Sequence, residues 1–237
     1  MRHIIRKSTL IGSVFLLLLV ASCGDPSPSN TVLSSPDPTP PMSDDRPKIV
    51  AFGDSLTGGY GLASWQQSYP ALLQNSLDAE HYNYQVLNYG LSGDTSAGGL
   101  RRLDLALQNS NTRIFIVALG ANDVSKKVPA DEIKANLSEI VKRMKARNAA
   151  VLLCGITTPT GNGDAYAAAI RDVYASVARE NGVPLLPSLM EGVSGRPGLL
   201  QDDGIHPNAD GAKVIQENVM TALRPMLVRE APKRSKQ

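Results

Sequence analysis

Short apolar runs alternate with helical patterns along most of this chain, and that alternation restricts the possible folds more than any other feature. Candidate strands lie at 48–52, 85–88, 113–119, 150–156 and 184–186, and candidate helices lie around 69–77, 96–108, 130–147, 166–181 and 211–223. The helix at 130–147 is the clearest, because its apolar residues recur on one face at helical spacing. The pattern predicts an α/β domain of three layers, in which a mostly parallel five-stranded sheet is covered by helices on both faces.

Polar motifs follow the first three predicted strands directly. Asp54-Ser55 comes after the first strand, residues 90–94 after the second and residues 120–123 after the third. In such a sheet the carboxyl ends of the strands share one edge, and ligands bind in the crevice there. His206 precedes the last helix and falls on the same side. The sequence therefore predicts one site built from four separate segments.

Three side chains in these segments suit a nucleophilic triad. Ser55 is the candidate nucleophile, although its position also suits a helix N-cap. A serine hydroxyl becomes reactive when an imidazole takes its proton and a carboxylate holds that imidazole. His206 is the candidate base, since the other two histidines lie in the N-terminal segment and in a polar stretch. Asp203, three residues before His206, is preferred to Asp202 as the carboxylate because of that spacing.

Further residues are candidate donors to a negatively charged oxygen. Asn122 places a side-chain amide after a buried strand, and Gly93 offers a backbone N–H that no side chain obstructs. The N–H of Ser55, at a strand-to-helix turn, is a third donor. Gly93 and Asn122 also suit ordinary turn or helix-entry chemistry, so that interpretation stays open for each residue taken alone.

The motifs together resemble those of the GDSL, or SGNH, hydrolases. The Ser, Gly, Asn and His that name the family correspond here to Ser55, Gly93, Asn122 and His206, and the similarity runs from 49 to about 227. Within the family, the blocks at 91–96, 183–187 and 201–208 are similar to those of the bacterial thioesterase I, lysophospholipase and arylesterase branch. The resemblance implies the flavodoxin-like SGNH hydrolase fold and a serine esterase that works through an acyl-enzyme.

The resemblance also implies roles for particular residues. Ser55, Asp203 and His206 would be catalytic, and Ser55, Gly93 and Asn122 would form the oxyanion hole. The implied substrates are lysophospholipids, aryl esters or acyl thioesters. No cofactor is implied, and no His or Cys spacing suggests a metal site.

Two details of the third block and its following loop carry separate expectations. Ala121 stands where the family often has a second glycine, and we expect only a small steric change. By analogy with relatives, the loop Val124–Pro129 borders the acyl channel. Its Ser125, Lys126 and Lys127 suit a contact with a substrate headgroup or a solvated turn equally well.

Three other functions are compatible with parts of this sequence pattern. A carbohydrate O-acetylesterase of the cell envelope would use the same residues, but Trp65 is the only tryptophan and aromatic residues make up 5% of the chain, which leaves little surface for stacking sugars. A non-catalytic acyl-binding lipoprotein would keep the fold, and the intact candidate residues speak against it. A nucleotide-binding protein is disfavoured, because no glycine-rich phosphate motif follows the first strand directly.

The N-terminal 22 residues are typical of a lipoprotein signal peptide. Three basic residues precede an apolar run at 10–20 that is too short to span a bilayer comfortably. Val20-Ala21-Ser22-Cys23 is similar to a bacterial lipobox, which predicts cleavage before Cys23 and lipidation of its sulfur. An ordinary secretory signal is the alternative. The predicted location is the cell envelope, anchored by lipid on the extracytoplasmic side, and Gly24 favours the outer membrane.

Composition completes the predicted organisation. Residues 23–46 are rich in Pro and Ser and predict a disordered tether, 47–228 form the hydrolase domain, and 229–237 form a flexible basic tail. Without the first 22 residues the chain has 21 basic and 22 acidic residues, which argues against nucleic acid as a partner. Cys154 lies in an apolar run and is expected to be buried. We expect a monomer whose partners are an ester substrate and, through the lipid, a membrane.

Overall fold

A five-stranded parallel sheet forms the centre of the computed structural model, which describes residues 44–156 and 165–227. The strands are β1 Lys48–Gly53, β2 Gln85–Gly90, β3 Thr112–Ala118, β4 Ala150–Cys154 and β5 Leu185–Leu186. They lie in the order β2-β1-β3-β4-β5, and every neighbouring pair is parallel. The predicted α/β class and sheet are therefore confirmed.

Seven α-helices occur in the described residues, together with three short 3₁₀ helices. The α-helices are α1 Ser55–Gly58, α2 Tyr69–Ala79, α3 Ser96–Leu107, α4 Ala121–Ser125, α5 Ala130–Lys145, α6 Ala165–Asn181 and α7 Ala209–Leu223. The five long helices match the predicted ones. The sequence did not predict α1 and α4, because helices of four and five residues are too short to show a periodic pattern.

Helices cover both faces of the sheet because successive strand residues point to opposite sides. In β1, Val50 and Phe52 pack into one hydrophobic core with α3, α5 and α6, and Ile49 and Ala51 pack into another with α2 and α7. The first core includes Leu103, Ile133, Leu137, Ile140 and Ile170, and the second includes Leu73, Leu77, Ile215, Val219 and Leu223. This double coverage explains why the strands are apolar throughout.

Side-chain caps set where two of the helices that border the site begin. The Thr95 hydroxyl accepts the N–H of Gly98 at the start of α3. The Asn208 side chain accepts the N–H groups of Asp210 and Gly211, each at 3.0 Å, so α7 begins two residues before the predicted position. Both caps satisfy backbone donors that a helix N-terminus otherwise leaves unpaired.

The strand order creates a crevice at the carboxyl ends of β1 and β3. From β1 the chain continues to β2 on one side, whereas β3 pairs with β1 on the other side. Ligands bind at such switch points in open parallel sheets. The strand β4 ends at Cys154, before the predicted 156, because β5 is only two residues long and Gly155 bonds to Leu186 and Leu189 instead of continuing a ladder.

Several predicted segments lie outside the described residues. These are the signal peptide 1–22, the lipidation site Cys23, the tether as far as residue 43, and the tail 229–237. Among the residues that are described, no helix is both long enough and apolar enough to cross a membrane.

Candidate active site

The turn from β1 into α1 positions Ser55. This serine is the first residue of α1, and Asp54 alone separates it from Gly53, the last residue of β1. Asp54 caps the helix, since its carboxylate accepts the N–H of Leu56 at 3.0 Å. The Ser55 side chain consequently lies at the edge of the sheet, where it lines a pocket.

A loop that closes on itself brings His206 to this serine. The His206 Nε2 lies 2.9 Å from the Ser55 Oγ. The loop is held by the N–H of Gln201, which donates to the carbonyl of His206 at 2.8 Å, and by an antiparallel bridge between Leu200 and Pro207. The imidazole is therefore fixed in a position where it can accept the serine proton.

Asp203 is the carboxylate that orients the imidazole. Its Oδ2 lies 2.6 Å from the His206 Nδ1, and its Oδ1 accepts the N–H groups of Ile205 and His206, each at 2.9 Å. The side-chain hydrogen bond with His206, followed by the two backbone bonds, lowers the pKa of Asp203 to about 2. An ionised Asp203 keeps a proton on Nδ1 and leaves the Nε2 lone pair toward Ser55. The rival Asp202 is exposed and does not bond to His206.

Tyr60 packs beside the imidazole, and sequence reasoning missed it. The centroids of the Tyr60 and His206 rings are 4.7 Å apart with a tilt of 47°. The Tyr60 side chain is 55% exposed, and its carbonyl accepts the Gln201 side-chain amide at 2.8 Å. Tyr60 lies five residues after Ser55 and belongs to no catalytic motif of the sequence. Its position against the ring of His206 is visible only in the folded structure.

Two backbone N–H groups at the same edge are available to a ligand. Gly93 is the third residue of a turn closed by the Asp94 N–H and the Leu91 carbonyl, with φ of +81°, a conformation that favours glycine. In residues 44–156 and 165–227, the N–H groups of Gly93 and Ser55 donate no hydrogen bond. Gly93 is exposed, and a Cβ added to it would meet nothing within 4 Å.

Asn122 supplies a side-chain donor from the neighbouring strand end. Its Nδ2 donates to the carbonyl of Asp94 at 2.9 Å, and a primary amide keeps a second N–H for another acceptor. The adjacent Asp123 is fully buried and accepts the N–H and the hydroxyl of Ser96, at 2.8 and 2.6 Å. These bonds fix α4 against the start of α3. Ala121 lines the pocket, so its methyl group is part of the wall.

A mainly apolar pocket of about 380 Å³ opens beside Ser55, Asn122 and His206. Its apolar lining consists of Leu56, Ala121, Val124, Ile156, Leu189, Met190, Leu200 and Ile205. Val124 and Ser125, the first two residues of the segment expected by analogy to border an acyl channel, lie at the end of α4 and line this pocket. The wall at Leu189 and Met190 was missed, because no sequence motif marks residues that face a pocket after a short strand.

The lysines of the loop Val124–Pro129 do not line the pocket. Lys126 and Lys127 are exposed, and the Lys127 Nζ lies 5.0 Å from the centroid of the Tyr166 ring. Lys127 also has a positive φ of 56°. This placement agrees with a solvated turn better than with a headgroup contact inside the pocket.

Asp54 is a buried carboxyl group behind Ser55. The residue is 1% exposed, and burial, as the largest cause, raises its pKa to about 6. The hydrogen bond from Leu56 and the nearby His206 act in the opposite direction and only partly offset this effect. Ionisation of Asp54 at neutral pH therefore lowers the free energy of unfolding.

We expect the Asp54→Asn variant to remove this cost. Between about pH 4 and pH 6 the native state holds a proton that the unfolded chain has lost, so the stability that Asp54 contributes is present below pH 4 and lost by about pH 6. Relative to wild type, Asp54→Asn should gain up to about 3 kcal/mol between pH 4 and pH 7. Urea unfolding at both pH values measures this gain, with the exposed Asp131→Asn as the control. An equal gain in both variants would contradict the prediction.

The described residues contain no group of three or more His, Cys, Asp or Glu side chains that could hold a metal ion. Cys154 is fully buried, and this burial raises the pKa of its thiol to about 12. It is therefore a core residue and not a second nucleophile. What the site offers chemically is a serine with a base, a carboxylate and several N–H donors around one pocket.

Comparison with known proteins shows the family to which the chain belongs. Residues 51–214 match the model of the GDSL-like lipase/acylhydrolase family. The chain is 38% identical to the esterase TesA of Pseudomonas aeruginosa, over 76% of this chain and 89% of that protein. It is 36% identical to thioesterase 1/protease 1/lysophospholipase L1 of Escherichia coli K12, over 76% of this chain and 84% of that protein.

A crystal structure of TesA superposes on the fold with a TM-score of 0.73. The two chains are 37% identical, and the match covers 76% of this chain and 99% of the TesA chain. The predicted family and fold are thereby confirmed. The chain belongs to the GDSL-like lipase/acylhydrolase family and is a serine hydrolase that acts on ester bonds.

Proposed function

We propose that this protein is a serine esterase in which Ser55, His206 and Asp203 form the catalytic triad. The observation that carries the proposal is the unbroken hydrogen-bonded series from Asp203 through His206 to Ser55, with distances of 2.6 and 2.9 Å. The series ends in a pocket that Asn122 also lines. A nucleophile, a base and an orienting group in this geometry suit acyl transfer.

In the first half of the proposed reaction, the Ser55 Oγ attacks the ester carbonyl carbon and His206 Nε2 takes the hydroxyl proton. The carbonyl oxygen becomes negatively charged and accepts hydrogen bonds from the free N–H of Asn122 Nδ2 and from the backbone N–H groups of Gly93 and Ser55. Asp203 stabilises the imidazolium. The bond to the leaving group then breaks, His206 protonates the leaving oxygen or sulfur, and an acyl-enzyme remains.

In the second half, water takes the place of the leaving group. His206 removes a proton from the water, and the resulting hydroxide attacks the acyl carbon of the Ser55 ester. The same donors bind the second oxyanion. Collapse of this intermediate releases the carboxylic acid and returns the proton to Ser55.

The pocket favours substrates with an apolar acyl chain. Its volume of about 380 Å³ lies within the usual range for small-molecule sites, and most of its lining is aliphatic. The relatives include proteins named esterase, arylesterase and thioesterase/lysophospholipase, so aryl esters, lysophospholipids and thioesters are all candidate substrates. If the protein is extracytoplasmic, oxyesters are the natural choice, because little acyl-CoA is found outside the cytoplasm.

Turnover of p-nitrophenyl esters from acetyl to palmitoyl by the purified full-length protein tests this proposal. We expect activity to peak at medium or long chains, since only these fill the pocket. Activity confined to the acetyl ester would favour a carbohydrate O-acetylesterase. If no ester of the series is cleaved, the proposed esterase activity is contradicted and a non-catalytic acyl-binding lipoprotein remains as the alternative.

We further propose that the protein is anchored in the cell envelope by a lipid on Cys23, on the extracytoplasmic side. The proposal rests on the signal peptide and lipobox pattern at 1–23. Growth with labelled palmitate should label the wild type and not the Cys23→Ser variant. Fractionation of inner and outer membranes would then test the preference for the outer membrane.

A further inference from the structure

One guanidinium group connects the segments that carry the proposed oxyanion donors. Arg102 lies on α3, where its Nε donates to the Asp94 carboxylate at 2.6 Å. Its Nη1 donates to the carbonyl of Tyr89 at 2.9 Å, and its Nη2 donates to the carbonyl of Gly53 at 2.8 Å. The group also lies 4.2 Å from the centroid of the Phe52 ring. No sequence motif singled out this arginine.

Each acceptor of Arg102 adjoins a proposed donor. The Gly53 carbonyl ends β1 two residues before Ser55, and it also accepts the N–H of Leu91. Asp94 is the last residue of the turn that carries Gly93, and Tyr89 lies in β2, which leads into that turn. The remaining donor is linked through Asp94, whose carbonyl accepts the Asn122 amide at 2.9 Å.

We propose that Arg102 is a positioning residue for the oxyanion hole. It acts through the backbone of β1, β2 and the Gly93 turn and does not touch the substrate. This inference rests on the proposed function, because it assumes that Ser55, Gly93 and Asn122 bind the oxyanion. The pairing with Asp94 makes the arrangement rigid, since the side chains are only 16% and 8% exposed.

Only an arginine can make these three contacts at once. Its planar guanidinium presents donors in a fixed fork, whereas a lysine offers one compact ammonium group. Without the guanidinium, the carbonyls of Tyr89 and Gly53 and the Asp94 carboxylate lose a shared partner. Small displacements of positioning groups have large effects on rate, because oxyanion donors act only at hydrogen-bonding distance.

Steady-state kinetics of the full-length Arg102→Met and Arg102→Lys variants with p-nitrophenyl butyrate test the proposal. Met keeps an unbranched apolar stem, and Lys keeps the charge. We expect Arg102→Met to lower kcat by about 10–100-fold, with KM changed less than about twofold. Arg102→Lys should lower kcat by a smaller factor. The neighbouring Arg101 is exposed, so Arg101→Met is the matched control and should keep the wild-type kcat.

A double-mutant cycle separates positioning from a general structural role. Asn122→Ala alone should lower kcat by about 10²–10³-fold. If Arg102 acts by placing Asn122 and its neighbours, the combined variant should lose at least about fivefold less than the product of the two single losses. Losses that multiply fully, or a kcat in both Arg102 variants equal to that of Arg101→Met, would overturn the proposal. If Arg102→Met does not fold, Arg102→Lys decides by the same criteria.

The outcome also distinguishes this inference from the proposed function. Loss of activity in Ser55→Ala and Asn122→Ala, with full activity in the Arg102 variants, removes only the positioning role. Full activity in Ser55→Ala removes the proposed function itself, whatever the Arg102 variants do.

Discussion

Replacing Ser55 with alanine is expected to lower kcat by about 10⁶-fold, and His206→Ala by a similar factor. Ser55 is the only group of the pocket that bonds to the His206 Nε2, at 2.9 Å in the described residues. Without the hydroxyl no acyl-enzyme forms, and without the imidazole the hydroxyl keeps its proton. The double variant should be about as inactive as either single variant, because the two residues act as one unit.

Burst-phase kinetics and labelling with a fluorophosphonate measure this effect. The wild type should gain the mass of one phosphonyl group on Ser55, and Ser55→Ala should gain none. The exposed Ser110 is a matched control, so Ser110→Ala should keep the activity and the label. Wild-type turnover by purified Ser55→Ala would exclude the mechanism.

The Asp203→Asn variant is expected to lose about 10⁴-fold in kcat. Asn carries no negative charge, and one of its two side-chain groups is an N–H donor that would face the His206 Nδ1. That contact favours the tautomer with the proton on Nε2, which cannot accept the proton of Ser55. The loss is smaller than for Ser55→Ala, because Asp203 orients the base and does not react.

Asp202→Asn is the control for this experiment. Asp202 is the adjacent residue, is exposed and makes no hydrogen bond to His206, so the variant should keep kcat within about twofold. A loss of kcat in Asp202→Asn as large as that in Asp203→Asn would contradict the assignment of Asp203, rather than Asp202, as the carboxylate that orients His206.

The pH dependence follows from the hydrogen bonds of Asp203. Its pKa is lowered from 3.8 to about 2, so the stability that these bonds contribute is present above about pH 4 and is lost as the pH falls toward 2. The contribution of Asp54 to stability depends on pH in the opposite direction, since its raised pKa favours the folded state at low pH. As the protein is acidified, its stability should therefore rise between about pH 6 and pH 4 through Asp54 and fall below about pH 4 through Asp203, and Asp54→Asn should remove the rise.

The fold was predictable because its signals are local. The apolar runs and the stripe of Ile133, Leu137 and Met144 on α5 are visible at the spacing of strands and helices. The alternation of these elements then leaves few topologies besides a parallel sheet. Some boundaries differ from the predicted ones by a few residues, and at α7 a particular contact explains the difference, because the Asn208 cap starts that helix two residues early.

The candidate site was partly predictable for a different reason. Ser55, Gly93 and Asn122 follow strands whose carboxyl ends must meet, and His206 precedes the last helix on the same side of the sheet, so their proximity follows from the class of fold. The choice of Asp203 over Asp202 rested on spacing alone. In the fold, the Asp203 Oδ2 lies 2.6 Å from the His206 Nδ1, because the loop closed by the Leu200–Pro207 bridge turns the carboxylate toward that nitrogen.

The sequence by itself determined the class of fold, the segments of the site and the chemical types that meet there, because periodicity and strand-end position are properties of the chain order. Only the tertiary structure decided the pocket wall at Leu189 and Met190, the packing of Tyr60 on His206 and the contacts of Arg102. Arg102 bonds to a carbonyl 49 residues away, at Gly53. Such contacts depend on how distant segments pack in three dimensions, and no local pattern encodes them.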